Sequence, residues 1–212
     1  MFLPLFSGNQ GEKRVISKMS ERKKVKRLLE GKNLREMNAG ERKRKIESCE
    51  RMNKIFDPWG GRGLSFYVQI AIMLELGLVS YTVEQVFLEQ PKDFAKVSRS
   101  DGYETDAHLT LKHNACLILR KLGEDKPIVE KMDGYDVYSP KLKVRIECGH
   151  TDPERLPWSF ESDNVAKFWV LQYPREGESS ASLYKFRPSK DCKKILRAYS
   201  SEIGRQAMAA LE

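Results

Sequence analysis

The sequence has few of the features that mark secreted or membrane proteins. It has four cysteines and three histidines among 212 residues, and no two cysteines form a CxxC pair. No apolar run approaches the roughly 18 residues of a membrane span, and the opening MFLPLF is too short for a signal-peptide core. Internal repeats and low-complexity segments are also missing. These absences favour a soluble, intracellular protein, expected in the cytoplasm, without a disulfide framework.

The excess positive charge lies at one end of the chain. Residues 1–57 hold 16 lysines and arginines against 8 acidic residues, whereas residues 58–212 hold 22 of each. A local excess of this kind is typical of a surface that binds nucleic acid, although a solvated helical surface is the alternative. The candidate phosphate-binding residues lie in the runs ERKKVKR and ERKRK: Lys23, Lys24, Lys26, Arg27, Arg42, Lys43, Arg44 and Lys45.

Hydrophobic periodicity and turn residues predict an α/β chain. Helices are predicted at 19–30, 39–56, 64–76, 83–90, 105–122 and 190–210, with a broken helical connection at 153–166. Strands are predicted at 127–132, 134–139, 142–148, 168–173 and 183–187. The helix at 83–90 rests on Thr82 and Gln85, which have the spacing of a capping box. This order of elements is typical of a mixed sheet flanked by helices.

Two acidic residues stand on neighbouring predicted strands. In the run LKVRIEC, apolar residues alternate with Lys143, Arg145 and Glu147, so we expect one face of this strand on a core and the other exposed. Asp136 lies in the preceding run GYDVYS. A charged strand face beside a second acidic strand is compatible with a metal-dependent active site. It is equally compatible with a half-exposed hairpin whose charges are solvated.

Cysteine and histidine positions allow a different kind of metal site. His113 and Cys116 would form a zinc site with Cys148 and His150 if the two segments met in space. Neither pair has the spacing of a recognised zinc motif, and buried free cysteine is the alternative. On another face of the helix predicted at 105–122, three polar residues fall four apart: Glu104, His108 and Lys112.

The order of the acidic residues resembles a known family. A helix with Glu104, a strand with Asp136 and a strand with Glu147 resemble the PD-(D/E)XK nuclease superfamily. The chain is most similar to archaeal Holliday-junction resolvases and to a nuclease of spindle-shaped archaeal viruses. The resemblance covers roughly residues 100–190, and its motifs are short. It implies a restriction-endonuclease-like α/β core, Mg²⁺ (or Mn²⁺) as cofactor, and hydrolysis of branched DNA by a homodimer in recombination, replication or repair.

The resemblance also assigns roles to particular residues. Asp136 and Glu147 would be metal ligands together with the backbone carbonyl of Cys148, and Glu104 would be an accessory acid. Because Arg145 shares the strand face of Glu147, it is expected to pair with a carboxylate or to contact a phosphate.

One position departs from the family pattern. Gly149 stands where the family has a lysine that orients the attacking water. Either a basic group from elsewhere replaces that lysine, with Lys167, Lys112 and His150 as candidates, or the protein binds DNA without cutting it.

The resemblance and the charge distribution together predict two parts of the chain. Residues 1–63 are predicted to be a basic helical N-terminal extension that ends in the break DPWGGRG, and residues 64–212 the nuclease-like core. The apolar helical hairpin predicted at 64–90 is a candidate dimer face.

Overall fold

The described residues form a mixed sheet with helices on both faces. The structure is a computed structural model, and it describes residues 19–30, 37–58, 62–92, 104–129 and 135–209. The helices are α1 (Glu21–Glu30), α2 (Ala39–Phe56), a 3-10 turn (Leu64–Tyr67), α3 (Val68–Glu75), α4 (Asp106–Lys121), α5 (Arg155–Glu161) and α6 (Cys192–Ala209). The strands are β1 (Val79–Phe87), β2 (Ile128–Val129), β3 (Val137–Ser139), β4 (Val144–Cys148), β5 (Lys167–Leu171) and β6 (Ser180–Pro188). The predicted α/β class with a mixed central sheet is therefore confirmed.

The sheet has the strand order β1-β6-β5-β4-β3-β2. Strands β4 and β5 are parallel and are connected through α5, whereas the other neighbouring strands are antiparallel. Every residue of β4 is buried. The expectation of an exposed face on this strand is therefore wrong, because β4 lies inside the sheet and α5 covers the face that carries Arg145 and Glu147.

Residues 79–87 form a strand, so the helix predicted at 83–90 is wrong. The first helix of the expected hairpin does stop just before Gly77, whose φ of +63° is the left-handed conformation that glycine favours. The run VSYTVEQVF that follows is rich in β-branched and aromatic residues and pairs with β6 along its whole length. Gln85 does not cap a helix, because its side-chain amide donates to Ser182 Oγ on β6 at 3.0 Å.

The described part of the predicted N-terminal extension belongs to the main core. On α1 and α2, Leu28, Met52 and Phe56 are fully buried. The Phe56 ring packs against Phe168 and Phe186 of the sheet, with centroids 6.4 and 5.5 Å apart. Residues on both sides of the predicted boundary at 63 therefore share one hydrophobic core.

The opposite face of the sheet is covered by α4. Leu111, Ala115 and Leu119 repeat at helical spacing and pack on Ile146 and Trp169. Helix α4 thus lies against β3, which follows Asp136, and against β4, which carries Glu147. None of the described helices has the length and apolarity needed to cross a bilayer.

A buried hydrogen-bonded carboxylate joins the turns at one end of this layer. Glu124 accepts a hydrogen bond from Ser139 Oγ at 2.5 Å and from the backbone amides of Lys126 and Lys141. The Ser139 hydroxyl, and then those amides, hold the pKa of Glu124 below its ordinary value of 4.5, against the opposing effect of burial. The ionised carboxylate therefore stabilises the connections on either side of β3.

The Glu124→Gln protein is expected to be less stable than wild type at neutral pH and to approach it in acid. A carboxyl with a lowered folded-state pKa contributes stability above its unfolded pKa, and this contribution is lost as the pH falls through the folded pKa. Urea unfolding at several pH values between about 3 and 7 measures the difference in free energy of unfolding. An equal difference at both ends of that range would contradict the proposed role of the charge.

Candidate functional site

Helix α4 presents three polar side chains on one face. Thr105 caps the helix and accepts a hydrogen bond from the His108 amide at 3.2 Å. Glu104, just before the helix, and His108 and Lys112 within it are four residues apart, so their side chains stack along the helix. The sequence spacing is thus confirmed as one face of α4.

Asp136 completes a cluster with these side chains. His108 Nε2 lies 3.2 Å from Glu104 Oε1 and also 3.2 Å from Asp136 Oδ1. Lys112 Nζ contacts Glu104 and lies 3.9 Å from Asp136 Oδ1. The other oxygen, Asp136 Oδ2, accepts a hydrogen bond from the Cys148 backbone amide at 2.6 Å. We call Glu104, His108, Lys112 and Asp136 the α4 cluster.

The α4 cluster is largely shielded from solvent. The Lys112 side chain is fully buried, and those of Glu104, Asp136 and His108 are 12, 18 and 19 % exposed. Burial raises the pKa of Asp136. Its contacts with His108, the Cys148 amide and Lys112 lower the pKa by more than burial raises it, so the pKa of Asp136 lies below its ordinary value of 3.8. At neutral pH the cluster therefore holds an ionised Asp136 beside the basic side chain of Lys112.

Glu147 belongs to a different group of side chains. Arg145 Nε lies 2.5 Å from Glu147 Oε1, and Arg155 donates to Glu147 Oε2 at 2.6 Å. The Glu147 side chain is only 1 % exposed, and burial raises its pKa in spite of the two arginines. Guanidinium groups thus contact both oxygens of Glu147, just as His108, Lys112 and the Cys148 amide contact the two oxygens of Asp136. The ligand set expected from the sequence, Asp136, Glu147 and the carbonyl of Cys148, stays a prediction.

Arg145 is buried rather than exposed to a phosphate. Its guanidinium lies 4.5 Å from the centroid of the Tyr135 ring and donates to Ser159 Oγ at 2.9 Å. It pairs with Glu147 along the same strand. Of the two expectations for Arg145, the structure shows the pairing with a carboxylate.

Gly149 is at a position that disfavours a lysine in this arrangement. Its φ is +76°, and a Cβ atom added there would lie 2.4 Å from the Tyr173 ring. L-residues rarely adopt such a φ. The Tyr173 hydroxyl lies 3.5 Å from His108 Nδ1, so the ring that occupies this space also borders the α4 cluster.

The three candidates for the missing lysine lie in different places. Lys112 is in the α4 cluster. Lys167 pairs with Val144 at the start of β4, three residue pairs before Glu147 and roughly 10 Å along the strand. His150 is 2.7 Å from Asp57, at the end of α2. Of these three side chains, Lys112 is the one that lies beside Asp136.

The predicted phosphate-binding residues divide by exposure. Lys24 is buried, and Lys45 is buried in an ion pair with Glu75, so neither presents its ammonium group to a phosphate. Arg27 is half-buried. The remaining candidates are exposed on α1 and α2: Lys23, Lys26, Arg42, Lys43 and Arg44.

The described residues do not assemble the zinc site that the sequence allows. Cys116 and Cys148 are buried free thiols in the core beneath α4, as are the other two cysteines in their own surroundings. Burial raises the pKa of Cys148 well above its ordinary value of 9.0, which disfavours the thiolate that zinc requires. Across the described ranges, no three His, Cys, Asp or Glu side chains converge to hold a metal ion.

Sequence reasoning missed three residues that border these groups. The packing of α2 brings Asp57 to the border of these groups, and the turn after β5 brings Tyr173 there. Arg155 comes from the crossover helix, and its partner Glu147 is eight residues earlier in the chain. No motif links these residues, so only the tertiary arrangement identifies them.

Comparison of the chain with protein-family models, with curated proteins and with solved structures gave no match. The α4 cluster and the group around Glu147 are therefore the features from which a function is inferred.

Proposed function

We propose that the protein is a DNA endonuclease of the PD-(D/E)XK type that depends on Mg²⁺ (or Mn²⁺). The α4 cluster is the observation that carries this proposal, because it joins two carboxylates and a buried lysine at the edge of β3 and β4. The order of α4, three strands, α5 and a strand parallel to β4 also agrees with the resemblance. Phosphodiester hydrolysis needs an activated water and positive charge near the phosphate. The carboxylates would hold the metal ion that activates the water, and the lysine supplies positive charge.

The chemistry of the α4 cluster fits a hard cation at Glu104 and Asp136. Both carboxylates approach the same nitrogen of His108, and Lys112 lies against both, so this point of the fold already attracts positive charge. Mg²⁺ commonly takes one or two protein carboxylates and completes its shell with waters and substrate phosphate. When bound there, it would lower the pKa of a water and neutralise charge on the phosphate.

The chain's own residues have separate roles in this proposal. Asp136 and Glu104 hold the charge of the site, and the Cys148 amide fixes one oxygen of Asp136. Lys112 takes the place of the family lysine, because it is held beside both carboxylates and is protected from bulk water. It orients the attacking water and stabilises negative charge as the phosphate reacts.

The Lys112→Gln protein is expected to cleave DNA about 10²-fold or more slowly than wild type, the scale of losing one positioned proton-transfer or electrostatic group. Lys167→Gln is the matched control and should retain activity, since Lys167 lies near the other end of β4. Single-turnover cleavage at saturating DNA measures the effect, and thermal unfolding shows whether each protein is folded. Loss of cleavage in Lys167→Gln with full activity in Lys112→Gln would reverse the assignment.

Binding is attributed to the exposed basic residues of α1 and α2. We propose DNA as the partner, with branched DNA as the preferred substrate and a homodimer as the active form. A four-way junction presents two equivalent cutting sites, which suits a two-fold symmetric protein. Residues 64–90 stay a candidate dimer face, now as a short helical segment followed by edge strand β1, on which Val83 and Phe87 are exposed.

The test is cleavage of a labelled four-way junction, a duplex and a single strand, each with Mg²⁺, Mn²⁺ or EDTA. Metal-dependent cutting that is strongest on the junction would support the whole proposal. Cutting of all three substrates alike would support the nuclease and reject the branched-DNA preference. Absence of cutting with either metal would reject the nuclease.

A DNA-binding protein without nuclease activity is the second candidate. Two observations favour it: a lysine at position 149 would be strained by the φ of +76° and would meet the Tyr173 ring, and Glu147 is held by two arginines. This candidate predicts salt-sensitive binding in EDTA and no cleavage in any metal. Both candidates predict that affinity falls with salt, by about 0.9 log unit per log unit of salt for each phosphate contacted in a duplex. Metal-dependent cleavage therefore separates them, and salt dependence does not.

A further inference from the structure

A small cavity lies on the face of the sheet opposite the α4 cluster. It has a volume of about 270 Å³ and lies between the 3-10 turn with α3 on one side and the start of α5 on the other. Its apolar lining consists of Phe66, Ile70, Pro153 and Pro157. Since pockets for whole drug-sized ligands span roughly 300–1,000 Å³, this cavity suits one small group. We call it the Phe66 cavity.

The Phe66 ring is presented to solvent at the edge of this cavity. It is 52 % exposed, whereas Tyr67 and Ile70 nearby in the chain are buried. The Phe66 amide donates to the Gly63 carbonyl at 3.1 Å, so the 3-10 turn fixes the backbone from which the ring projects. An exposed phenyl ring beside a cavity offers an aromatic face on which a second flat ring can stack.

The remaining lining residues of the cavity are polar. They are Ser65, Gln69 and Glu154. A carboxamide and a hydroxyl each donate and accept hydrogen bonds, and a carboxylate accepts them. The edges of nucleobases carry donors and acceptors of the matching kinds. The Glu154 carboxylate would repel a phosphate group, so the Phe66 cavity suits a base better than a phosphate.

Exposed basic side chains lie on the helix that packs beside the cavity. Helix α2 contacts the 3-10 turn. Burial, and then the charge of Asp57 just after α2, raise the pKa of Tyr67 in this turn to about 12, which places the turn near the end of α2. Arg51 and Lys54 are exposed in the last two turns of α2. Proteins that bind single strands combine basic side chains for the phosphates with aromatic rings for the bases, and both kinds of group occur at this end of α2.

We propose that the Phe66 cavity binds an unpaired DNA base, which stacks on the Phe66 ring while its edge hydrogen-bonds with Gln69. This inference rests on the proposed function in one respect, because it takes DNA as the partner. It adds a preference for substrates with unpaired bases, which single strands and opened junctions offer and a fully paired duplex does not.

The first experiment measures binding to DNA with and without bases, in EDTA. Fluorescence anisotropy is recorded with a labelled oligothymidine of about ten nucleotides, a length within the usual site sizes for single strands. The second ligand is an abasic strand of the same length, which keeps the phosphates and lacks the bases. We expect wild type to bind the oligothymidine at least about 5-fold more tightly, and Phe66→Ala to remove this difference, the scale of losing one stacked base. Equal binding of both strands by wild type, or the wild-type difference in Phe66→Ala, would overturn the base site.

Further variants separate stacking from a general apolar effect. Phe66→Trp keeps an aromatic face and should bind like wild type, whereas Phe66→Leu is apolar without such a face and should bind like Phe66→Ala. Phe87→Ala is the matched control, because Phe87 is 79 % exposed on β1 and is not one of the described residues that line the cavity. It should keep the wild-type preference for the oligothymidine. Equal losses in Phe66→Ala and Phe87→Ala would contradict a specific site, and Phe66→Leu replaces Phe66→Ala if thermal unfolding shows that the alanine variant is not folded.

A second copy of the chain is the alternative occupant of the Phe66 cavity. Light scattering over a range of protein concentrations measures the oligomeric state of wild type and Phe66→Ala. A shift from dimer to monomer in Phe66→Ala, with unchanged preference for the oligothymidine, would assign the cavity to the second copy and reject the base site.

The outcomes also distinguish the base site from the nuclease. If wild type cuts no DNA with either metal but loses its preference for the oligothymidine in Phe66→Ala, the nuclease fails and the base site stands. If wild type cuts DNA and Phe66→Ala binds both strands as wild type does, the base site fails and the nuclease stands.

Discussion

Asp136→Asn is expected to reduce metal-dependent cleavage by about 10²–10³-fold, the scale of losing one preorganised electrostatic group. The substitution keeps the size of the side chain and an oxygen that can accept from the Cys148 amide, but it removes the negative charge that faces His108 and Lys112. DNA affinity in EDTA should stay close to wild type, because the exposed basic residues are unchanged. Single-turnover cleavage and anisotropy measure the two quantities.

Asp191→Asn provides the matched control for this prediction. Asp191 is an exposed residue just before α6, and the same charge is lost there without any contact to the α4 cluster. Its cleavage rate should match wild type. Full activity of Asp136→Asn in a folded protein would show that the α4 cluster is a structural ion network, and the nuclease site would have to be sought elsewhere.

Phe56→Ala is expected to lower the free energy of unfolding by about 3–5 kcal/mol, the usual cost of deleting a large buried aromatic side chain. Phe56 is the last residue of α2 and is fully buried between Phe168 and Phe186. The loss would be large beside a total stability of about 5–15 kcal/mol for a typical domain. Urea unfolding followed by circular dichroism measures it.

Phe66→Ala is the control for the effect of burial. Phe66 is 52 % exposed, so its truncation should change stability by less than about 1 kcal/mol. A single unfolding transition in wild type is also expected, because α2 and the sheet share one core. Equal losses of stability in the two alanine variants would contradict the effect of burial, and two separate unfolding transitions in wild type would favour the predicted division at residue 63.

The sequence was most informative where a long periodic pattern determined both the element and its face. Helix α4 is an example, because its apolar stripe predicts the packing of Leu111 and Leu119, and the four-residue spacing of Glu104, His108 and Lys112 predicts their common face. The strands predicted to carry Asp136 and Glu147 were found for a similar reason, because the alternation of apolar and polar residues and the flanking turn residues mark their limits. Local patterns thus predicted the elements of the site and the common face of three of the four residues in the α4 cluster.

The partners of these side chains depend on contacts between distant segments. Alternation in β4 predicts that Arg145 and Glu147 share a face, but it does not reveal that α5 covers that face. The capping-box spacing of Thr82 and Gln85 was a misleading local signal, because pairing of β1 with β6 determined the structure of residues 79–87. The β-branched and aromatic residues of this run favour a strand, and that preference together with the pairing outweighs the capping-box spacing.

Helix α2 ends against the strand ends that border the candidate site. The Thr151 amide donates to the Phe56 carbonyl at 2.7 Å, and Gln172 Nε2 donates to the carbonyls of Lys54 and Ile55 at 2.5 and 2.8 Å. Helix α2 has 18 residues and is therefore a rigid rod of about 27 Å. For a DNA arm lying along it, this length corresponds to about eight base pairs at 3.4 Å each. Under the proposed function, the helix would set a fixed distance between DNA contacts at the exposed Arg42 and Lys43 and the candidate site.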